Sequence, residues 1–334
     1  EELITALSQV WQDDPRKTKR IERLHRAVKV QGRNLALPIE KYLSLDGFGD
    51  ANDVFIEVGT QIAGEAVLDA LRKVDLTPAD VDAIFFTTVT GLATPTIDAR
   101  LVNRIGLRRD VKRVPLFGLG CVGGAAGLAR MSDYLRAYPD HVAVLLSVEL
   151  CSLTLQIKDL SVPNLISSGL FGDGSAAVVG LGSRRARQSA EPGPRVVATQ
   201  SVFYPETEGV MGWDIGEDGF KVILSAGVPE IAKKHIGPDV DRFLALNDLD
   251  RKDITAWVCH PGGPKVLEAF ESSLGLTRDD LSITWDSLEQ VGNLSSASVL
   301  FVLGDSLETR PREGYWVMLA MGPGFCAELV LLEW

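Results

Sequence analysis

One pattern occurs twice in this sequence, and the repeat constrains the fold more than any other feature. Residues 76–88, LTPADVDAIFFTT, have a counterpart in residues 249–261, LDRKDITAWVCHP, which lie 173 positions further on. Three more matches follow in the same order at offsets of 172 to 174 positions: Gly120-Cys121 with Gly292-Asn293, 133–135 with 305–307, and 141–147 with 315–321. A repeat of this kind indicates two copies of one structural unit.

Each copy has the pattern of a helix, a strand, a glycine-led helix and a second strand. The strands are continuous apolar runs, such as AIFFTTVTG at 83–91, which is typical of strands covered by helices on both faces. We therefore predict an α/β layered fold. The charged segment 183–194, rich in Pro and Gly, separates the copies, so the predicted division is into residues 1–185 and residues 186–334.

Composition excludes several classes of function. The formal net charge of −11, from 34 Lys and Arg against 45 Asp and Glu, argues against general nucleic-acid binding, because an acidic surface repels phosphates. The longest apolar runs, such as 142–148, are far shorter than the ~20 residues of a membrane-spanning helix.

Four widely spaced cysteines predict reduced thiols and a cytoplasmic protein. The chain begins at Glu1 rather than Met. A preceding segment, including a cleaved signal peptide, is therefore compatible with the sequence.

Cys121 is the first candidate for chemistry. It follows Gly118 and Gly120 at the end of a strand-like segment, and the small residues after it continue into a helix. A helix N-terminus stabilises a thiolate and its free N–H groups can hold an oxyanion, so Cys121 is a candidate nucleophile. A small apolar residue needed in a tight strand-to-helix turn explains this segment equally well.

His260 and Asn293 are the other two candidates. His260 ends the strand AWVCH before the rigid turn PGGP, whereas His25, His141 and His235 are predicted to lie at the surface. A satisfied turn histidine and a helix N-cap asparagine are the structural alternatives for these two residues. The repeat, however, puts Asn293 where Cys121 stands in the first copy, and symmetric packing would bring the two together. A thiol, an imidazole and an amide at one point form a reactive group.

The remaining cysteines, Cys151, Cys259 and Cys326, lie in or beside apolar strands and are interpreted as inert, buried side chains. No pair of Cys or His residues has metal-ligand spacing, so no metal site is predicted.

These motifs resemble the thiolase superfamily and, within it, the chalcone synthase-like type III polyketide synthases. The matching stretches are GCVGGAAGL around Cys121, LFGDGSAAVV at 170–179, HPGGPKVLE at 260–268, GNLSSASVLFVL at 292–303 and GPG at 322–324. The resemblance implies a thiolase-like, five-layered αβαβα fold built from two duplicated halves, and a homodimer. The family's extra N-terminal strand has no counterpart in this sequence, which predicts a trimmed or partly disordered version.

The resemblance also implies a mechanism. The Cys121 thiolate, paired with the His260 imidazolium, attacks an acyl-CoA starter. Malonyl-CoA then places its thioester carbonyl against His260 and Asn293, which stabilise the enolate formed as CO2 leaves. CoA thioesters are therefore the substrates, with an acyl carrier protein as a further starter donor, and no metal or redox cofactor is implied.

Residues for CoA and substrate are carried over in the same way. Arg20 and Arg23 match the family's basic CoA-binding residues well and Arg26 approximately, although a solvated basic face explains them equally. Phe171 matches the gatekeeper phenylalanine between the CoA tunnel and the cavity. Val222 stands where a second gatekeeper is usually Phe, which predicts a more open entrance or cavity. Two further cavity residues are predicted: Ser295, and Thr94, which stands where malonyl-primed relatives carry a cysteine.

The extra room favours an aliphatic acyl starter. We therefore predict a bacterial enzyme that makes alkylpyrones, resembling the germicidin and alkylpyrone synthases. Two alternative enzymes are a tetrahydroxynaphthalene synthase that uses malonyl-CoA only and a one-step enzyme like ketoacyl-ACP synthase III. A catalytically silent binding protein is the alternative from another class, and the intact Cys, His and Asn argue against it.

Overall fold

The computed structural model describes residues 2, 5, 15–189 and 193–334. The helix α1 spans Pro15–Ala27. Of the predicted linker 183–194, residues 190–192 lie outside the described part, and residues Ser183–Ala186 form a short helix, α7. The predicted domain division at residue 185 lies within α7, between the last strand of one sheet and the first strand of the next, and stays a prediction.

The first half forms one sheet and its covering helices. Its elements are α2 (Ile39–Tyr42), α3 (Gly47–Arg72), β1 (Ala83–Thr88), α4 (Ile97–Ile105), β2 (Lys112–Phe117), α5 (Gly123–Ala137), β3 (Val142–Leu150), α6 (Val162–Leu170) and β4 (Asp173–Leu181). The strand order is β2-β1-β3-β4, in which β1 is parallel to both neighbours and β4 is antiparallel to β3.

The second half adds a second sheet and a separate hairpin. Its elements are β5 (Arg195–Phe203), β6 (Met211–Gly216), β7 (Gly219–Leu224), α8 (Val228–Ala245), β8 (Ile254–Cys259), α9 (Pro264–Leu274), α10 (Ser282–Val291), α11 (Ser298–Thr309), β9 (Tyr315–Gly322) and β10 (Cys326–Glu333). The sheet order is β5-β10-β9-β8, and β6 pairs with β7.

The repeat in the sequence is a repeat in the structure. The unit β1-β3-β4 of the first sheet has the same parallel and antiparallel pairing as β8-β9-β10 of the second. Even the turn before each first strand recurs: the backbone N–H of Thr77 donates to Asp80 at 2.9 Å, and that of Asp250 donates to Asp253 at 2.8 Å. These capping boxes explain why the two acidic residues stood out in the repeat.

Three apolar clusters separate five layers. One lies between α3 and the outer face of the first sheet, and one between the second sheet and helices α8, α9 and α10. The third fills the centre, where α5 and α11 pack between the sheets. Small residues permit this packing: a Cβ added at Gly124 would lie 2.3 Å from the Ser296 carbonyl oxygen. The αβαβα fold predicted from the sequence is confirmed, and the central contact brings the starts of α5 and α11 together.

No helix in the described part of the chain is long and apolar enough to cross a membrane.

Candidate active site

Cys121, His260 and Asn293 line one cavity of about 60 Å³. Cys121 lies in a short 3-10 turn, Gly120–Val122, directly before α5. Gly120 adopts φ +54°, and a Cβ there would lie 2.5 Å from the ring of Pro323. Only glycine fits this approach, which holds the turn of the first half against the GPG loop of the second. The structure thus brings together the three residues that the sequence predicted to converge.

The environment of the Cys121 thiol favours its neutral form. Its side chain is buried, and burial raises the pKa of the thiol to about 12, although a contact from Sγ to Ser295 Oγ at 3.8 Å acts in the opposite direction. The nearby Glu149 carboxyl raises the thiol pKa further. Desolvation thus opposes the stabilisation that a helix N-terminus gives to a thiolate, and the role of Cys121 as nucleophile stays a prediction.

His260 is held by its backbone and leaves its ring free for a ligand. Its N–H donates to the Leu319 carbonyl at 2.8 Å, which fixes it at the end of β8 beside β9. Both ring nitrogens are buried and, within the described residues, have no hydrogen-bond partner. Burial lowers the pKa of the ring to about 3, so the imidazole is neutral. An unpaired buried ring is costly, which is typical of a group whose partner is a substrate.

Asn293 is fixed through both its backbone and its side chain. Its N–H donates to the Leu170 carbonyl at 2.9 Å, and its carbonyl accepts from Gly172 N at 3.0 Å, so it lies beside Phe171. The side-chain Oδ1 accepts from Ser295 N at 2.8 Å, while Nδ2 makes only a long contact of 3.5 Å to the Gly262 carbonyl. This orientation leaves the amide Nδ2 as the donor available in the cavity.

The repeat places Asn293 only approximately. The 3-10 turn before α11 spans Ser295–Ala297, and α11 begins at Ser298, as α5 begins at Gly123. The structural counterpart of Cys121 is therefore Ser296, and Asn293 lies three residues earlier. The prediction of proximity succeeds because the pairing beside Phe171 turns the chain back toward the cavity.

Phe171, Val222 and Trp213 line this cavity and also a second one of about 290 Å³. Trp213 lies directly opposite Val222 in the β6–β7 hairpin, and its ring centroid is 6.3 Å from that of Phe171. An aromatic ring therefore lies across the hairpin from Val222, and the more open entrance expected from this valine stays a prediction. Sequence reasoning missed Trp213, although the turn Gly216–Gly219 would have identified 213 and 222 as a pair.

Thr94 does not lie in the cavity. It is exposed and lines neither cavity, because the chain leaves the first sheet after β1 and runs along the surface toward α4. Val89, directly after β1, lines the Cys121 cavity instead. Ser295 lines it as predicted, and its φ of +48° turns the hydroxyl toward Cys121.

The predicted CoA-binding arginines Arg20, Arg23 and Arg26 are exposed on α1, outside the lining of both cavities as far as the chain is described. His25 on the same helix is buried rather than at the surface, and its Nε2 lies 3.0 Å from Ser168 Oγ. Burial and the nearby Arg33 lower the pKa of this ring to about 4.

His141 and His235 are partly buried beside tyrosine rings: Nδ1 of His141 lies 2.7 Å from the Tyr134 hydroxyl, and the ring of His235 lies 4.6 Å from that of Tyr204. Of the remaining cysteines, Cys259 is fully buried, Cys326 donates to the Pro323 carbonyl at 3.1 Å, and Cys151 lines the larger cavity. Burial raises the pKa of all three thiols, in keeping with the interpretation as inert side chains.

A buried carboxyl, Glu149, lies where the halves meet. It accepts hydrogen bonds from Val89 N at 3.1 Å, from Thr90 Oγ1 at 2.8 Å and from Ser296 Oγ, and burial raises its pKa to about 7. Sequence reasoning missed it, although an acidic residue within the apolar strand 142–150 is a visible signal.

Comparison with known proteins agrees with this geometry. The profile of the N-terminal domain of chalcone and stilbene synthases matches residues 40–184, and that of the C-terminal domain matches residues 195–333. The chain belongs to this family, the type III polyketide synthases. As a member it is an acyltransferase that carries out decarboxylative condensation.

Two relatives and one solved structure illustrate the likeness. A 1,3,6,8-tetrahydroxynaphthalene synthase of Streptomyces peucetius subsp. caesius is 54% identical over 94% of this chain and 83% of its own length. The alpha-pyrone synthesis polyketide synthase-like Pks18 of Mycobacterium tuberculosis is 29% identical over 96% of this chain and 84% of its own. The crystal structure of 1,3,6,8-tetrahydroxynaphthalene synthase from Streptomyces coelicolor A3(2) has a TM-score of 0.92 and 29% identity, covering 100% of this chain and 94% of that one.

These likenesses correct one expectation about this type III polyketide synthase. The sequence suggested a germicidin-like enzyme, whereas the relative of 54% identity is a tetrahydroxynaphthalene synthase. The alternative considered from the sequence is thus better supported than the main interpretation.

Proposed function

We propose that this type III polyketide synthase makes 1,3,6,8-tetrahydroxynaphthalene, with malonyl-CoA as both starter and extender. The proposal is carried by the 54% identity to a tetrahydroxynaphthalene synthase over nearly the whole chain. The cavity that contains Cys121, His260 and Asn293 supplies the groups that the chemistry needs. The naphthalene skeleton has ten carbons, so it takes five two-carbon units from malonyl-CoA, each with loss of CO2 and CoA.

In this proposal Cys121 carries the growing chain. The neutral thiol gives its proton to the free ring nitrogen of His260 as its sulfur attacks the starter thioester, and CoA leaves. Burial raises the pKa of the thiol and lowers that of the ring, so both groups favour their neutral forms and the proton moves as the thioester is attacked.

His260 and Asn293 then stabilise the extender. Cleavage of the malonyl carbon–carbon bond releases CO2, and the electron pair forms an enolate on the thioester oxygen. A ring N–H of His260 and Nδ2 of Asn293 donate to that oxygen; both donors are buried, where such hydrogen bonds are strong. The enolate carbon attacks the Cys121 thioester, and the thiolate leaves with the lengthened chain now on CoA.

CoA itself would bind at the surface near α1. Its phosphates are anionic and the chain is acidic overall, so a local cationic patch is needed. We assign this role to Arg20, Arg23 and Arg26, which are exposed on one helix. A homodimer is also part of this proposal, whereas an acyl carrier protein as starter donor belongs only to an acyl-primed reaction.

A second candidate, alkylpyrone synthesis from an aliphatic acyl-CoA, is favoured by the larger cavity. Its volume is about 290 Å³, and aliphatic side chains line much of it: Leu35, Ile39, Leu43, Leu155 and Ile157. Such a lining suits an alkyl tail better than a string of carbonyl groups. The likeness to Pks18, named for alpha-pyrone synthesis, points the same way.

Mass spectrometry of the products separates these candidates. The purified enzyme is given isotope-labelled malonyl-CoA, alone and with a panel of acyl-CoA starters. A fully labelled naphthol from malonyl-CoA alone supports the first proposal. Pyrones that contain one unlabelled acyl unit, with no naphthol from malonyl-CoA alone, support the second. A single condensation product would contradict both.

A further inference from the structure

The two cavities share part of their lining. The Cys121 cavity, of about 60 Å³, is much smaller than the second cavity, of about 290 Å³. Among the described residues, only Phe171, Trp213 and Val222 line both this cavity and the larger one. The position of the Trp213 indole therefore decides how much space a chain on Cys121 can occupy.

Trp213 has little backbone support. It lies on β6, whose strand partner is β7, and this hairpin is separate from both large sheets. Along β6, residues 211–213 are half-buried and residues 214–216, toward the turn, are exposed. Side-chain contacts, more than a sheet ladder, must therefore hold the indole in place.

Those contacts form a row of aromatic rings. The Trp213 ring lies 6.0 Å from that of Phe220, at 70°, and the Phe220 ring lies 5.5 Å from that of Phe48, at 79°. Both are edge-to-face arrangements, which have a preferred geometry and so transmit orientation. Phe220 is almost fully buried, whereas Phe48 is half-buried at the start of α3, and it does not line either cavity.

The hairpin turn is also docked on this region. A Cβ at Gly219, which has φ +92°, would lie 3.1 Å from the Phe48 ring, so the turn lies close against that ring. Gln156 Nε2 donates to the Asp218 carbonyl at 2.9 Å, and Lys221 Nζ lies 3.7 Å from an Asp159 carboxylate oxygen. These polar contacts hold the tip of the hairpin, and Phe48 packs against the Phe220 ring.

We propose that Phe48 is a positioning residue: through Phe220 it holds the Trp213 indole between the two cavities and so sets which starters the enzyme accepts. This inference rests on the proposed function only in taking a CoA thioester as starter. Removal of the Phe48 ring lets Phe220 and then Trp213 shift toward the vacated space. The two cavities then join more readily, and longer acyl chains gain access to Cys121.

The test compares starters of different length in four variants. Phe48→Ala and Phe48→Leu remove the ring, and Phe48→Tyr retains it. Phe55→Leu is the matched control, since Phe55 lies on the same helix but packs against Gly91. For each enzyme kcat/KM is measured with acetyl-, hexanoyl- and octanoyl-CoA as starters and malonyl-CoA as extender. Malonyl-CoA alone is measured in parallel.

Phe48→Ala and Phe48→Leu should raise the ratio of octanoyl- to acetyl-primed kcat/KM about fivefold, the order expected for the loss of one aromatic pair. Phe48→Tyr should retain the wild-type ratio. Phe55→Leu should lower Tm without changing the ratio. If the wild-type enzyme accepts no acyl starter, Phe48→Leu should gain measurable turnover with octanoyl-CoA.

An unchanged ratio in folded Phe48→Leu, or turnover that stays at zero, overturns the proposal, as does an equal change in Phe55→Leu. Failure to make a naphthol from malonyl-CoA alone contradicts the proposed function instead. The two failures are therefore distinguishable, because the acyl-CoA comparison does not depend on malonyl priming.

Discussion

Replacement of Glu149 by Gln tests whether the carboxyl between the two halves is protonated in the folded enzyme. Glu149 is completely buried, and its oxygens accept from Val89 N, Thr90 Oγ1 and Ser296 Oγ. Burial raises its pKa from the ordinary 4.5 to about 7. A glutamine amide can keep this pattern, since its oxygen accepts from the first two donors and its nitrogen can donate to Ser296 Oγ.

The sign of the effect follows from the raised pKa. The folded state holds the proton more tightly than the unfolded chain, so the stabilisation is complete below about pH 4.5 and is lost as the pH rises through about 7. A difference of about 2.5 pKa units corresponds to about 3 kcal/mol of unfolding free energy. The glutamine variant does not titrate there, so its stability relative to wild type should increase by about that amount from acid to pH 8.

Urea denaturation of both proteins at several pH values, at one fixed protein concentration, measures this difference. Asp173→Asn is a useful comparison, since burial raises the pKa of that carboxyl to about 6 and its transition should lie about one pH unit lower. A stability difference between wild type and Glu149→Gln that stays flat from acid to pH 8 would refute the reasoning.

The remaining predictions concern the site itself. Cys121→Ala should form no acyl-enzyme by intact-protein mass spectrometry, and any acylation that persists would remove Cys121 as the nucleophile. Asn293→Ala should still load but should release CO2 from malonyl-CoA about 100-fold more slowly, as for other lost oxyanion donors; equal losses in both steps would contradict its role. Arg20→Ala and Arg23→Ala should raise KM for malonyl-CoA with little change in kcat, and Arg26→Ala should do so less. Because exposed charges are screened, these KM effects should shrink in high salt, and a salt-independent effect would argue against phosphate binding.

The layered fold was predictable because repeats and apolar runs are local properties of a sequence. The sequence shows the acidic residues of the two capping boxes, Asp80 and Asp253, and the apolar runs of the buried strands. Both features are present in the structure, as are the glycine-led helices. The small side chains before and within α5 likewise indicate close packing at Cys121. Symmetry of two such units predicted that Cys121, His260 and Asn293 lie near one another, and the pairing of Asn293 with Phe171 completes that arrangement.

Other features depend on contacts between segments distant in sequence. The neutral state of Cys121 results from burial by both halves, which a helix-terminus argument on one segment does not include. Thr94 is exposed because of the path that the chain takes after β1. The aromatic ring apparently missing at Val222 is supplied by Trp213 across the hairpin, and its orientation depends on Phe220 and Phe48.

The sequence by itself determined the duplicated α/β fold and the reactive thiol, imidazole and amide, since periodicity and residue chemistry are written along the chain. Tertiary structure alone decided the protonation of the buried groups and the wall between the two cavities. Burial and ring contacts arise only when segments far apart in the chain pack together.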